Sequence, residues 1–379
     1  MEINAYLDNN ATTRPHREVI EAVRYYQETL FLNASSTAGE LLGAARPLRE
    51  ARIAMLGLLG GEEDADQIVL TSGASEANSW VMFGALAPGS HGVISASEHS
   101  SILHAARSAQ ARGHHIDVLE VNEQGLIDGE SLAAALRPET RLVSIHMANN
   151  ETGAIQPLAS LGVLVRELAP SALFHTDATQ AVGRLAIDLS NAFEQVDLLS
   201  FSAHKFHGPK GIGGLFIRSG VAINALISGE QEKGLRGGTS NVPGAAGLAV
   251  AARLATAGLD QMAKVAQLRD QLEARLVALR PDAVVHSRDA PRLPNTSSIS
   301  FPQLLADDAT EQLALRGICI ATGSACTAGA TAPSHVLTAM GVSLDDARAT
   351  LRFSLSIQTT QVEVDRTILA LQPFLSSPA

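Results

Sequence analysis

The chain has 379 residues, 46% hydrophobic and 18% charged, with 39 acidic side chains against 28 basic and a net charge of −11. That length predicts two domains, and the acidic balance excludes a general nucleic-acid-binding or membrane surface; no apolar run reaches membrane-spanning length. Two cysteines with six residues between them make no disulfide framework, no metal site is expected, and the start shows no signal-peptide pattern, so a cytoplasmic protein with reduced thiols is expected.

In chain order, residues 1–16 hold Y-L-D-N-N-A-T-T-R-P, a short polar entry. Apolar spacing predicts helices over 17–29 and 44–59. From residue 67 short apolar runs alternate with helical patterns. Strands are predicted at 67–73, 92–96, 115–121, 141–148 and 173–176, with helices at 76–86, 99–112, 132–136 and 158–168. Such alternation indicates β-α-β units in a mostly parallel sheet, where ligands bind beyond the carboxyl ends of the strands. Two further strands, 196–199 and 215–217, flank S-F-S-A-H-K-F-H-G-P-K-G-I-G-G at 200–214.

After residue 217 the alternation stops. The loop G-E-Q-E-K-G-L-R-G-G-T-S-N-V leads into a long helical region, 243–279. Strands follow near 284–286, 297–301 and 350–355, with helices at 308–316 and 334–340 and an apolar segment at 318–321. The last helix opens at Thr360 with the capping-box pattern T-Q-V-E. The expected division is 13–255 for a large domain and 1–12 with 256–379 for a small one.

Lys205 is the first chemical candidate. Its flanks are apolar and small, and His204 and His207 lie close by in sequence. Desolvation and cationic neighbours lower a lysine's pKa and produce an amine able to form a Schiff base. Asp177 ends the strand before it, where a buried carboxylate needs a cationic partner. A lysine and a carboxylate so placed are the two groups that pyridoxal phosphate asks of a protein. Thr71-Ser72-Gly73-Ala74-Ser75-Glu76 joins a strand to a helix and can cradle a phosphate, although the same residues cap ordinary helices. Glu98-His99 and Asn149-Asn150-Glu151-Thr152-Gly153 occupy two more strand ends.

Cys319, between Ile318 and Ile320, reads as a buried strand residue. Cys326 stands in T-G-S-A-C-T-A-G-A-T-A-P, a segment without a large apolar anchor, and reads as an accessible thiol with a chemical role. Arg352, half-buried in a strand, needs an anion, either an internal carboxylate or a substrate's.

Together the motifs Y-L-D-N-N-A-T-T, T-S-G-A-S-E, S-E-H-S, N-N-E-T-G, H-T-D-A-T-Q-A-V-G, S-A-H-K-F-H-G-P-K-G-I-G, L-R-G-G-T, G-S-A-C-T-A-G, P-S-H-V-L and L-R-F-S-L resemble the NifS/IscS-like cysteine desulfurases of the class V aminotransferase group. The resemblance implies the fold-type I architecture of pyridoxal phosphate enzymes: an α/β large domain with a mostly parallel seven-stranded sheet flanked by helices, plus a smaller α+β domain. It implies that Lys205 carries the cofactor as a Schiff base, His99 stacks on its ring, Asp177 pairs with the ring nitrogen and Gln180 contacts the phenolic oxygen. Ser75, Ser202 and His204 would hold the phosphate, with Thr239 reaching in from the other subunit of a homodimer, and Ala74 would also contact the cofactor. Asn150 would contact the cofactor and, with Arg352, hold the substrate carboxylate. Cys326 would be the nucleophile that takes sulfur from L-cysteine as a persulfide, leaving L-alanine, and delivers it to a protein acceptor for iron–sulfur clusters or another thio-product. Selenocysteine lyase or other C–S lyase chemistry, or a sulfur carrier without catalysis, are the alternatives. Ser75 stands where the family more often has threonine, and S-G-E-Q-E where it has G-G-G-Q-E.

Overall fold

Residues 2–323 and 333–376 are described by the computed structural model of the chain. Strand β1 (Ala5–Tyr6) precedes helices α1 (Arg17–Glu28), α2 (Thr37–Leu41) and α3 (Arg46–Leu59). The alternating run is β2 (Gln67–Thr71), α4 (Ala74–Ala85), β3 (His91–Ser95), α5 (Ser100–Ala111), β4 (His115–Leu119), α6 (Gly129–Ala135), β5 (Thr140–Ser144), α7 (Leu158–Leu168) and β6 (Leu173–Asp177). Strands β7 (Leu198–Ser202) and β8 (Gly213–Ile217) complete it. Then come α8 (Val242–Gly258), α9 (Met262–Leu279), β9 (Val284–Val285), β10 (Thr296–Ser300) and α10 (Ala306–Ala314). The chain continues through β11 (Ile318–Cys319), β12 (Ala321–Thr322), α11 (His335–Ala339), α12 (Leu344–Arg348), β13 (Thr350–Ser354) and α13 (Gln361–Leu375).

The seven-stranded sheet has the order β2-β8-β7-β6-β5-β3-β4, and only β8 runs against the rest. Leu198–Ser202 and His91–Ser95 carry no exposed position, because helices cover both faces. One apolar cluster, with Met55, Phe174, Phe201 and Leu248, lies on one side. A second, built on Trp80, Ile94, Ile102 and Leu215, lies on the other. A third, with Leu7, Leu272, Phe301, Phe353 and Leu371, joins β1 to the C-terminal elements around the antiparallel sheet β12-β13-β10-β9.

Three local expectations change. Strand β5 stops at Ser144 rather than 148, because β3 pairs with it only that far; Ile145 and Met147 still donate their N–H groups to His175 and Asp177. The helical region 243–279 is two helices, interrupted by a 3-10 turn at Leu259–Gln261 after Gly258, a residue of poor helix propensity. Over Val242–Leu279 it is apolar enough to cross a membrane by composition and length, but α8 packs on α1 and α3 as a core helix does. Finally, Cys319 is half-buried rather than buried. It belongs to the two-residue strand β11 beside β1, and side-chain alternation turns Ile318 inward and the thiol toward the partly covered face.

The chain's sheets also store acid sensitivity. His286 is buried against Ser300, with Nε2 to Oγ at 2.6 Å, and burial pushes its pKa down to about 4, with Asp346 opposing. The unfolded chain protonates this ring near its ordinary value of 6.5. The contribution is therefore full above about pH 6.5 and is lost as pH falls toward 4. In urea denaturation, the stability advantage of wild type over His286→Gln should shrink by roughly 2 kcal/mol between pH 7.5 and pH 5. A difference independent of pH would show that the imidazole charges freely in the folded state.

Candidate active site

Strand β7 ends at Ser202, and the chain tightens into one 3-10 turn, Ala203–Lys205, before β8 returns antiparallel. Strand β8 opens at Gly213, where a Cβ would lie 2.8 Å from Gly73 Cα. Gly73, the residue before α4, has φ 155° and ψ 178°, a region only glycine occupies readily. The two glycines let the N-terminus of α4 approach the lysine turn.

A cavity of about 540 Å³ opens at the carboxyl ends of the strands, within the roughly 300–1,000 Å³ range of small-ligand sites. Ala74, Ser75, His99, Asn150, Asp177, Gln180, Ser202, His204, Lys205 and Arg352 all line it. They come from residues 74 to 352 of the chain, so the fold gathers what the sequence scatters. Thr239 lines a neighbouring pocket of the same chain with Arg236 and Ser240 and does not face this cavity. Cys326 lies outside the described residues.

Lys205 Nζ donates to the carbonyls of Asn10 at 2.5 Å and Ala11 at 2.8 Å. The N-terminal segment is tied down further: Thr13 N–H donates to His204 O, and His207 N–H to Thr13 Oγ1. His204 Nδ1 is 3.0 Å from Thr12 Oγ1, and His207 Nδ1 is 2.8 Å from Arg14 O. Burial, chiefly, pushes both imidazoles down to about 4. They are neutral near pH 7, so, against the sequence-based expectation, they are not cationic neighbours of Lys205. His204 offers a phosphate a hydrogen bond rather than a charge.

Asp177 is buried, which works against its charge. The neighbouring His99, the Thr179 N–H at 2.9 Å and Asn78 Nδ2 at 2.7 Å outweigh burial and hold its pKa below the ordinary carboxylate value. His99 precedes α5, and burial keeps its pKa low. Its Nδ1 accepts from the Ser101 N–H at 3.2 Å, so the ring hydrogen of the neutral form sits on Nε2. Arg352 is 1% exposed, and its Nη2 donates to Asp8 Oδ1 at 2.8 Å, while Nη1 reaches Asn150 O at 3.3 Å. The internal carboxylate that the sequence left open is therefore Asp8, and Arg352 still lines the cavity.

Several residues that matter here were missed in the sequence. Asn10 accepts from Lys205 and from Gln180 Nε2 through its carbonyl, yet it reads as part of a polar entry. Asn78 lies two residues beyond the T-S-G-A-S-E motif, inside α4, and carries no local signal. His146 lines the cavity, and its N–H donates at 2.7 Å to Oε1 of the buried Glu98, the strand-end residue already noted.

The chain matches the family profile described as aminotransferase class-V over residues 5–367. It is 42% identical over 378 residues to a cysteine desulfurase of Cereibacter sphaeroides, covering 98% of this chain and 95% of that protein. Its fold is similar to that of a NifS-like protein, with TM-score 0.90, 34% identity and coverage of 98% and 99%. It is also similar to SspA in complex with cysteine, with TM-score 0.79, 33% identity and coverage of 94% and 100%. The chain belongs to the cysteine desulfurases of the class-V aminotransferase family. It is thus a pyridoxal phosphate enzyme with the fold-type I architecture.

The residues of this desulfurase fit that cofactor. Its ring nitrogen needs a charged carboxylate, its aldehyde an amine and its phosphate an array of free N–H groups. Asp177, Lys205 and the first turn of the 12-residue helix α4 supply them around one cavity. Glu76 would repel a phosphate there, but Arg236 Nε at 2.8 Å and the Ser72 N–H at 2.8 Å engage its carboxylate.

Proposed function

We propose that this desulfurase takes L-cysteine and passes its sulfur, as a persulfide on Cys326, to a protein acceptor, releasing L-alanine. The observation that carries the reading is Lys205, Asp177 and His99 around one cavity, close enough that His99 responds electrostatically to both of the others. Bound through Lys205, pyridoxal phosphate supplies an electron sink that acidifies the substrate Cα–H. Lys205 takes and returns that proton, and Asp177 keeps its charge toward the ring nitrogen. His99 would lie against the bound cofactor, with a hydrogen on Nε2 available to the substrate. Asn150 and Arg352 hold the substrate carboxylate, while Ala74, Ser75, Ser202 and His204 hold the phosphate. Cys326, as a thiolate, bonds to the substrate sulfur as the Cβ–S bond breaks, and Cβ takes up a proton.

The finer assignments belong to the same proposal. A homodimer would bring Thr239 of a second copy to the phosphate, in keeping with its turning away from the cavity of its own chain. Phe31, Leu41 and Leu42, 71%, 81% and 65% exposed, offer apolar surface for that contact. We place the domain division at 255/256, with 1–12 in the small domain, because Ala5 and Leu7 pack in its core. Sulfur delivery to an iron–sulfur scaffold or another thiol carrier, in the cytoplasm where Cys326 stays reduced, completes the reading.

Cofactor-loaded protein given L-cysteine and a thiol acceptor should release alanine and sulfane sulfur in equal amounts. Pyruvate and ammonia in place of alanine would make it a C–S lyase. Arg352→Ala should keep the cofactor's visible spectrum and raise the KM for cysteine about 10- to 100-fold, the worth of one charge-assisted hydrogen bond at about 1.5–3 kcal/mol. An unchanged KM would mean that Arg352 serves Asp8 alone.

A further inference from the structure

Arg184 is 6% exposed, and no carboxylate faces its guanidinium among the described residues. Burial, with Arg352 nearby, pushes its pKa down to about 9. A buried arginine without an acid is expensive to maintain unless its donors are satisfied otherwise. Here they meet four oxygens. Nη1 donates to Gln180 O at 2.8 Å and to the side-chain Oε1 of Gln180; Nη2 donates to Lys205 O at 3.1 Å and Asn9 O at 3.2 Å. The fork thus joins the N-terminal segment, the turn after β6 and the lysine turn.

Gln180 shows what this arrangement does. A guanidinium only donates and a carbonyl only accepts, so Gln180 must turn Oε1 to Arg184 and Nε2 to Asn10 O, 3.0 Å away. One amide hydrogen is used there, and the second remains for the cavity that Gln180 lines. We propose that Arg184 is a positioning residue that locks the Gln180 amide as a donor, never an acceptor, toward the cofactor's phenolic oxygen. The proposal rests on the pyridoxal phosphate reading of the cavity. Without Arg184 only the Asn10 carbonyl still holds the amide, and an amide that turned its oxygen inward would set a lone pair against the ring oxygen and oppose its negative charge. Lysine cannot replace the fork, because one nitrogen cannot reach four acceptors lying on both sides of it.

The test is a pH titration of the cofactor's visible band in purified wild type, Arg184→Met, Arg184→Lys, Gln180→Leu and the double variant Arg184→Met/Gln180→Leu, with thermal melts and equilibrium pyridoxal phosphate affinity alongside. The eight charged or titratable side chains lining the cavity are the same in all five proteins. A donor to the ring oxygen favours its ionised form, so losing it should raise the band's apparent pKa by about one unit. Arg184→Met should show that rise and Arg184→Lys a smaller one in the same direction, each with weaker cofactor affinity. The double variant should titrate like Gln180→Leu, because the arginine acts through the glutamine. If Arg184→Met only lowers the melting temperature and titrates like wild type, or its shift adds fully to that of Gln180→Leu, the proposal is overturned. Should the methionine variant fail to fold, an unshifted Arg184→Lys overturns it equally. Wild-type protein that acquires no visible band would instead sink the cofactor reading, and the proposal with it.

Discussion

Cys326→Ser should bind pyridoxal phosphate with wild-type affinity, respond spectrally to L-cysteine, and release alanine at least about a thousandfold more slowly. In the proposed reading cofactor loading draws on Lys205, Asp177 and the α4 terminus, none of which the substitution changes. Sulfur abstraction needs a soft nucleophile that is substantially ionised near neutral pH, and a serine hydroxyl is neither. A serine also cannot store sulfur, so protein-bound sulfane sulfur should vanish with alanine release. The control is Cys319→Ser. Burial, then Asp8, push the Cys319 thiol pKa up, and the residue sits in β11 beside β1, so it is a poor nucleophile. That variant should keep most of the activity. Alanine release by Cys326→Ser at the wild-type rate would replace the persulfide route with direct elimination, and a dead Cys319→Ser would exchange the roles of the two thiols.

Lys205→Ala should remove the visible absorption of the lysine-bound cofactor and abolish turnover. On the proposed roles the variant loses both the amine that would bind the cofactor covalently and the base that would move the substrate Cα proton, so exogenous cofactor should not restore the rate. It also loses the donor to the Asn10 and Ala11 carbonyls. Hydrogen bonds from a charged donor are worth about 1.5–3 kcal/mol, so apo-protein stability should fall measurably as well. The sharpest check uses the other lysine that lines the cavity, Lys210. Borohydride reduction of wild type followed by peptide mapping should place the cofactor on residue 205. Label on 210, or a normal visible band in Lys205→Ala, would move the cofactor to the neighbouring lysine.

The sheet and the strand-end residues were legible because they rest on local regularities. Apolar runs alternating with helical patterns specify a parallel sheet, and such sheets present Ser75, His99, Asn150, Asp177 and Lys205 at one edge. The Thr360 capping box was equally local, involving residues three apart, and both of its hydrogen bonds form. Charge state was less legible. Sequence proximity placed two imidazoles beside Lys205, but ionisation depends on burial, and the fold buries both until they are neutral.

The partners of the site could not be read from the sequence at all. Asp8 meets Arg352 across 344 positions, Asn10 meets Lys205 across 195, and Arg184 finds Asn9 across 175. Hydrophobic period and turn chemistry act over a few residues, whereas these pairs exist only because β1 joins β11 and carries the N-terminal segment over the lysine turn. By itself the amino-acid sequence determined the order of elements and the edge at which the candidate residues gather. Tertiary structure alone decided which groups are charged, which anion Arg352 holds and which way the Gln180 amide faces, because burial and long-range hydrogen bonding set all three.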